Sequence, residues 1–207
     1  MAPRIPDTDI LWLEQADSTN SELRRRLSSS DNLSIVAARS QSRGRGQGDH
    51  TWYSSPDTNL TFSILYRFGA GQMKATDALL ITCVTTLGIR DYLLTKGIES
   101  RIKWPNDIWV GDRKICGILI ENILESGCVR ESIVGIGLDV NEKDWPSELP
   151  NPVSMRELTG DVYDLETELP LLRNEICRRF GMLSTAGGRI SLQEEFERFM
   201  FRLHAEP

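Results

Sequence analysis

Histidine is scarce in this sequence, and closely spaced cysteines are missing. The 207 residues include two histidines, His50 and His204, and four cysteines, none of which form a CxxC pair. Zinc sites draw on clustered cysteine and histidine ligands, so the sequence argues against a histidine-based zinc site. Cys83, Cys116 and Cys128 lie in apolar runs. We therefore expect buried free thiols in a reducing compartment, in preference to disulfides or a metal site.

Long apolar runs and an excess of positive charge are also missing. No run reaches the roughly 18 apolar residues that a membrane helix needs, and residues 1–6 lack the apolar core of a signal peptide. Lysine and arginine number 24 against 30 aspartates and glutamates, which gives a net charge of −6. Broad binding to nucleic acid requires a basic face. We therefore expect a cytoplasmic protein whose partners include neither a membrane nor a nucleic acid.

The composition that is present is that of a globular protein, with 40% hydrophobic and 26% charged residues. A chain of this length fits one domain, which we place over residues 1–207. Apolar periodicity predicts helices at 19–27, 74–96, 165–183 and 191–203 and strands at 10–15, 34–39, 59–66, 100–104, 107–110, 114–124 and 129–140. Turns at Gly111-Asp112 and Ser126-Gly127 make the later strands an antiparallel meander.

A loop over residues 40–58 carries the run Gln41-Ser42-Arg43-Gly44-Arg45-Gly46-Gln47-Gly48. Alternating glycines let backbone amides approach an anion, and arginines supply forked donors to phosphate. The alternatives are a solvated mobile loop and an RNA-binding segment, in which similar runs occur. Because the run joins two predicted strands, and long loops inside compact domains are usually functional, we favour a phosphate site.

The segment Asp17-Ser18-Thr19-Asn20 stands at a predicted strand-to-helix junction. Thr19, followed by Glu22 three residues later, is typical of a capping box with Thr19 as the N-cap. Small polar side chains and helix amides at such a junction can bind a polar ring or a carboxylate. Taken alone, the segment favours a simple helix cap.

The turn Lys103-Trp104-Pro105-Asn106-Asp107 presents a lysine and an aspartate at one point. That pairing suits a site that handles phosphates, a metal ion and an amine. The alternative is a surface ion pair, which contributes little to stability. An aromatic residue at the turn favours the functional interpretation.

Glycines interrupt the two longest predicted strands. Lys114 opens the first of these strands and Gly117 lies inside it, while Gly135-Ile136-Gly137 lies in the second. A glycine within a strand marks a place where another group approaches the backbone. The pattern predicts close approach by a flat ligand, with Asp139 or Asn141 available to read a base edge.

In combination, these segments resemble the biotin–protein ligases. The likeness extends over about residues 10–203, and its most specific part is Lys103-Trp104-Pro105-Asn106-Asp107 followed by Lys114-Ile115-Cys116-Gly117-Ile118-Leu119-Ile120-Glu121. The resemblance implies an α+β fold with a mixed, mostly antiparallel central sheet flanked by helices, similar to class II aminoacyl-tRNA synthetases. It also implies the reaction. Biotin and ATP, with Mg²⁺, form biotinyl-5′-AMP, and the biotinyl group passes to a lysine of a biotin carboxyl carrier domain.

The resemblance also implies roles for individual residues and a homodimer, while the metal ligands stay unassigned. The expected catalytic residues are Lys114, Lys103, Arg45 and Asp107. The expected biotin contacts are Ser18, Thr19, Asn20, Gln41, Arg43, Gly44, Arg45, Lys114 and Gly117. The expected nucleotide contacts are Gly46, Gln47, Trp52, Asn106, Asp139 and Asn141.

The sequence departs from the family pattern in several places. Asp49 stands where glycine is usual, and Asp139 stands where the family has an asparagine near the adenine. An ionised aspartate cannot donate a hydrogen bond from its side chain. No helix-turn-helix region precedes the resemblance, so we expect no repressor role. The family usually continues beyond the equivalent of Pro207 with a small SH3-like β domain, which we expect this chain to lack.

Two other functions fit parts of the pattern. Lipoate–protein ligases share an Asn-Asp-Ile element followed by a Lys-x-x-Gly strand, which Asn106-Asp107-Ile108 and Lys114–Gly117 also match. A homologue that binds biotin and nucleotide but has lost catalysis is the second alternative, because Asp139 departs from the family. Lys103-Trp104-Pro105 and Gly44-Arg45-Gly46 favour biotin over lipoate.

Overall fold

A single seven-stranded sheet organises the computed structural model of this chain, which describes residues 10–201. Its strands are β1 (Ile10–Ala16), β2 (Ile35–Gln41), β3 (Leu60–Arg67), β4 (Arg101–Lys103), β5 (Asp107–Val110), β6 (Arg113–Glu125) and β7 (Cys128–Leu138). The α-helices within these residues are α1 (Thr19–Arg25), α2 (Leu79–Thr95), α3 (Met155–Thr159), α4 (Leu165–Gly181) and α5 (Ala186–Phe199). The expectation for residues 1–6, the last two positions of the helix predicted over 191–203, and His204 lie outside the described range.

The strand order is β1-β2-β3-β7-β6-β5-β4. Only β1 and β2 pair in parallel, and every other neighbouring pair is antiparallel. The mixed, mostly antiparallel sheet predicted from the sequence is therefore confirmed. The hairpin between β6 and β7 turns at Ser126 and Gly127, whose φ angles are 50° and 76°. Left-handed backbone at both turn positions is what a tight two-residue hairpin requires.

Alternation along the strands divides the core between the two faces of the sheet. On one face, Leu23 of α1 packs with Val36, Leu65 and Ile133. On the other, the neighbouring strand residues pack with α2, α4 and α5 in the main core. Because side chains in a strand alternate in direction, this split follows from the sequence of β2, β3 and β7. The face of the sheet that packs against α1 therefore has a much smaller core than the face that packs against α2, α4 and α5.

Helix α2 is the central helix of the main core. By length and hydropathy alone, the segment Ala75–Thr95 could cross a membrane, but 61% of it is buried within this protein. It packs on α4 so closely that a Cβ at Gly88 would lie 2.7 Å from the Cα of Ile176. All four cysteines carry free thiols, and Cys83 and Cys116 are buried.

The structure corrects several predicted elements. Helix α3 was not predicted, although Ser154 and Glu157 form a reciprocal capping box at its start. Helix α5 begins at Ala186 rather than at 191, with Thr185 as its N-cap. Helix α1 ends at Arg25 rather than near Leu27, because the chain tightens into a 3₁₀ turn over Leu27–Ser29. The other predicted strands and helices lie within a few residues of their predicted positions.

Candidate functional site

A cleft of about 490 Å³ opens over β6 and β7. It is bordered by the start of α1, the loop after β2 and the turn between β4 and β5. This volume is within the range of ordinary ligand sites. The cleft is lined by most of the residues proposed from the sequence, namely Ser18, Thr19, Asn20, Gln41, Arg45, Gly46, Gln47, Trp52, Lys103, Asn106, Asp107, Lys114 and Gly117.

The start of α1 presents buried polar side chains to the cleft. The predicted capping box is wrong: Ser18 is the N-cap and makes no side-chain capping bond, while Glu22 pairs with Arg25 and Arg26. The backbone N–H of Thr19 instead donates to Oε1 of Gln41 over 2.9 Å. The Ser18 side chain, free of a capping bond, lines the cleft.

Asn20 is held by groups from two strands. Its Oδ1 accepts a hydrogen bond from Ser63 Oγ over 2.6 Å, and its Nδ2 donates to Oε2 of Glu121 over 2.9 Å. The amide lies against Gly135, where a Cβ would overlap Oδ1. The predicted close approach to Gly135 therefore comes from the chain's own Asn20.

The arginine- and glycine-rich loop folds into a small hairpin. Trp52 N–H donates to the carbonyl of Gly44 over 3.1 Å, and Gly46 N–H donates to that of His50 over 2.7 Å. The hairpin places the Trp52 indole flat on β6 and β7, where a Cβ at Gly117 would lie 2.9 Å from the ring and one at Gly137 would overlap it. The sequence predicted a flat ligand above these glycines, but the protein's own Trp52 side chain occupies that space.

Two lysines lie beside the same end of the cleft, Lys103 at the end of β4 and Lys114 near the start of β6. Lys114 Nζ lies 2.8 Å from Oδ1 of Asp107. Lys103 Nζ stacks 3.7 Å above the ring of Trp109. Asn106 donates from Nδ2 to the carbonyl of Ile118 over 2.6 Å and so fixes the turn to β6. These contacts place two cations and one carboxylate at the same end of the cleft.

Two indole N–H groups in the cleft lack partners. Nε1 of Trp52 and Nε1 of Trp109 are buried, and neither has a hydrogen-bond partner among residues 10–201. A buried donor without an acceptor is costly.

Four of the proposed residues do not line the cleft. Arg43 is exposed, and Gly44 is buried beneath Trp52. Asn141 uses its amide to bind both backbone groups of Tyr163, over 2.8 and 3.0 Å. Asp139 is only 4% exposed and does not reach the cleft.

Asp139 is a buried carboxyl rather than a reader of base edges. Its Oδ1 has no hydrogen-bond partner within the described part of the chain. Burial raises its pKa well above the usual range, although the nearby Lys114 acts in the opposite direction. The sequence-based placement fails because β7 ends at Leu138, so the alternation assumed for the strand does not continue to Asp139.

Sequence reasoning missed several residues at or beside the cleft. Among them, Trp109 and His50 line it, and Glu121 binds Asn20 and Arg45 beside it. Trp109 was detectable, because it lies two residues after Asp107 on a strand and so shares its face. No local pattern marks Glu121, whose partners are distant in sequence.

The cleft has chemically distinct neighbouring regions. Neutral polar groups meet over Gly135, while Trp52, Lys114 and Asp107 meet over Gly117 and Gly137. Gly117 pairs with Gly137, and Gly135 is two residues away along β7, about 7 Å. Such a cleft can hold one molecule with a polar, uncharged end and an anionic end. Within residues 10–201, no group of three or more His, Cys, Asp or Glu side chains is placed to hold a metal ion.

Comparisons with known proteins agree with this geometry. Residues 12–139 match the biotin/lipoate A/B protein ligase family. A biotin–[acetyl-CoA-carboxylase] ligase of Paracoccus denitrificans is 32% identical over 182 residues, which are 84% of this chain and 74% of that protein. The bifunctional ligase/repressor BirA of Bacillus subtilis is 34% identical over 134 residues, or 63% of this chain. The match spans 40% of the length of that BirA.

Solved structures share the fold. A biotin protein ligase from Aquifex aeolicus, in complex with biotin and ATP, superposes with a TM-score of 0.79 at 25% identity. The match covers 93% of this chain and 78% of that one. A biotin protein ligase from Leishmania major with biotinyl-5-AMP has a TM-score of 0.74 at 21% identity, covering 95% and 84%. These likenesses confirm the fold expected from the sequence.

Proposed function

The chain belongs to the biotin/lipoate A/B protein ligase family, and from that premise we propose that it joins biotin to a lysine of a biotin carboxyl carrier domain. In the first step, the biotin carboxylate attacks the α-phosphorus of ATP and pyrophosphate leaves. In the second, the acceptor amine attacks the carbonyl of biotinyl-5′-AMP, and AMP leaves as the amine loses a proton. The relatives named above as biotin ligases support this proposal.

The observation that carries the proposal is the juxtaposition of a buried polar network with a cationic end in one cleft. Asn20 and Ser18 are 2% and 4% exposed and face the uncharged end. The ureido ring of biotin has N–H and C=O groups that pair with such side chains. The dithiolane ring of lipoate has none and would leave them unsatisfied, and sites built around hydrogen bonds reject analogues that lack them. Biotin is therefore the favoured acid.

At the other end, the side chains fit the charge that adenylation develops. The attack on phosphorus places additional negative charge on the phosphate oxygens, and fixed cations stabilise it. We assign Lys114 to the biotin carboxylate and the acyl phosphate, and Lys103 to the phosphates. Arg45, which Glu121 holds on the Asn20 side of the cleft, is assigned to closing the loop hairpin over biotin and its adenylate. Asp107 holds Lys114 in place at 2.8 Å.

Magnesium fits this arrangement as a companion of ATP. Mg²⁺ usually binds substrate phosphates together with one or two protein carboxylates, and Asp107 is the carboxylate that lines the cleft. When bound, the ion would neutralise phosphate charge. Trp52, which lines the cleft, supplies a flat aromatic face for the nucleotide.

Several finer expectations stay proposals. They are the carrier domain as acceptor, a cytoplasmic location, no nucleic acid or membrane partner, self-association into a homodimer, and one catalytic domain over residues 1–207. Gly46, Gln47 and Asn106 keep their proposed nucleotide role, since all three line the cleft.

The first step can be tested without any carrier. Purified chain with MgATP should release pyrophosphate when biotin is added, and lipoate should not replace biotin. Lys114→Ala should slow this release about a hundredfold, because loss of one donor to the developing charge typically costs about 3 kcal/mol. Lys74→Ala is the matched control, since Lys74 is exposed and lies outside the cleft.

The outcomes separate the alternatives. No biotin-dependent release by the wild-type chain would refute ligase activity. Pyrophosphate release that requires lipoate would show that the chain is a lipoate ligase instead. Near-normal release by Lys114→Ala would overturn the role given to that lysine.

A further inference from the structure

Glu121 lies on β6 beside the cleft, on the sheet face of Gly117 and Leu119 and at the junction of two of the cleft's borders. Its Oε2 accepts a hydrogen bond from Asn20 Nδ2 over 2.9 Å, and its Oε1 accepts one from Arg45 Nη2 over 2.8 Å. Asn20 belongs to α1, and Arg45 belongs to the loop hairpin. Glu121 itself does not line the cleft. One carboxylate therefore joins two elements whose side chains face the proposed substrates.

The contact with Asn20 determines which end of the amide faces the cleft. A carboxylate only accepts hydrogen bonds, so the group bound to Glu121 must be the amide nitrogen. The oxygen is then directed to the hydroxyl of Ser63, at 2.6 Å. An amide oxygen has two lone pairs, and one is left for a ligand N–H. Glu121 thereby orients Asn20 as an acceptor.

The contact with Arg45 determines how its guanidinium is presented. Nη2 lies 2.8 Å from Oε1, and Nη1 lies 3.5 Å from Oε2. The end of the guanidinium is therefore turned toward Glu121. A guanidinium carries five N–H donors in a rigid fork, so Nε–H and further Nη–H groups stay available on its side. An anion in the cleft can bind there while Glu121 keeps its hold.

The charge of Glu121 is secured by its surroundings. Burial acts to raise its pKa, but hydrogen bonds from Arg45 and Asn20 outweigh burial, and the pKa lies below the usual range. Arg24 adds a third donor group at 3.7 Å. The side chain is 20% exposed, so solvent competes weakly for it. The carboxylate is therefore a fixed anion between two cations and an amide.

From this geometry we propose that Glu121 is a positioning residue for the adenylation step, which orients Asn20 toward the biotin ring and Arg45 over the bound biotin and its adenylate at once. The proposal rests on the proposed function. It predicts two separable effects of removing the charge. Loss of the Asn20 contact should weaken biotin binding, and loss of the Arg45 contact should slow turnover.

The test is a kinetic cycle with Glu121→Gln, Arg45→Ala and the double variant, measuring biotin-dependent pyrophosphate release. Glu121→Gln should lower kcat about tenfold in the wild-type background. In the Arg45→Ala background, Glu121→Gln should lower kcat by less than about twofold, because Arg45, the residue through which Glu121 acts on kcat, has been removed. The KM for biotin should rise several-fold in the wild-type background, where Asn20 and Arg45 compete for the one acceptor oxygen that Glu121→Gln leaves. It should rise less in the Arg45→Ala background, where that oxygen is free for Asn20.

Glu131→Gln is the matched control. Glu131 lies on β7 and pairs with Arg67 at 3.0 Å, and its side chain is 24% exposed. It touches neither Asn20 nor Arg45, so its kinetic constants should equal those of the wild type. Thermal melting of each variant shows whether the fold is retained.

The outcomes distinguish this inference from the function on which it rests. An equal loss of kcat from Glu121→Gln with and without Arg45 would show a merely structural role and overturn the proposal. Unchanged kcat and biotin KM in Glu121→Gln would overturn it as well. A wild-type chain without biotin-dependent release would instead refute the proposed function.

Discussion

At the residue scale, the glycines of β6 and β7 explain how the cleft is built. Gly117 and Gly137 make room for the indole of Trp52, and Gly135 makes room for the amide of Asn20. The sequence predicted that something approaches these glycines, because a strand glycine has no other evident use. It could not identify the approaching groups, since Trp52 and Asn20 arrive from elements distant in sequence.

Asp139 shows where local reasoning fails at this scale. A polar residue just after a glycine-rich strand was expected in the cleft, but the side chain is buried behind Lys114. Its neighbours Glu142 and Glu157 reinforce the effect of burial on its pKa. Whether a residue one position past a strand faces a cleft depends on the path of the following chain, which no local pattern specifies.

Replacing this buried carboxyl should stabilise the protein at neutral pH. Because the folded-state pKa of Asp139 is raised, the folded chain binds the proton more tightly than the unfolded chain. The carboxyl therefore costs nothing below its unfolded pKa of about 4, and its cost grows as pH rises toward the folded pKa. Each unit of that rise costs about 1.4 kcal/mol. Asp139→Asn should thus gain stability relative to wild type between pH 5 and pH 8.

Urea unfolding at several pH values measures this difference. Asp161→Asn is a suitable control, because Asp161 is exposed. A gain from Asp139→Asn that stays constant from pH 5 to pH 8 would show that the Asp139 pKa is not raised.

At the element scale, most of the fold followed from periodicity. Each of the seven strands was predicted, because each has alternating or continuous apolar residues bounded by turn residues. Helix α3 was missed because its five residues are too few to show a helical period. The loop after β2 has no apolar period at all, and its hairpin depends on backbone hydrogen bonds between Gly44, Gly46, His50 and Trp52.

The packing of α2 on α4 provides a test of the core at this scale. A methyl group at Gly88 would lie 2.7 Å from Ile176 Cα, so Gly88→Ala should push the helices apart. Overpacking of this kind typically costs about 1–3 kcal/mol. Gly187→Ala in α5 is the control, because nothing lies within 4 Å of its Cβ position, and it should be neutral or stabilising by up to about 1 kcal/mol.

Chemical denaturation of both variants gives the comparison directly. Equal stability of Gly88→Ala and Gly187→Ala would contradict the close approach of α2 and α4.

At the scale of the whole molecule, the fold brings four sequence segments to one cleft. The segments around Ser18, Arg45, Lys103 and Lys114 are separated by up to about a hundred residues of chain. The sheet unites them because β6 and β7 lie at its centre, and the other segments end beside these strands. The family resemblance indicated which residues to expect at the site, and most of them line the cleft. The contacts among the site residues, such as that of Glu121 with Arg45, could be found only from the three-dimensional arrangement.

The distribution of charge is also a property of the whole molecule. The chain has a net charge of −6, yet Arg45, Lys103 and Lys114 gather at the cleft. A local group of cations within an acidic protein favours small anionic substrates over extended nucleic acids. This distribution agrees with an enzyme that binds ATP and a carboxylic acid.

The most direct test of the proposed ligase activity is transfer of biotin to a carrier. The purified chain should be incubated with MgATP, biotin and a biotin carboxyl carrier domain that a known biotin ligase modifies. The mass of the carrier should then be measured by mass spectrometry. We expect the mass of one biotinyl group on the carrier, dependent on ATP and absent when the acceptor lysine is replaced by arginine. A carrier that stays unmodified by this chain, while the known ligase modifies it, would contradict the account.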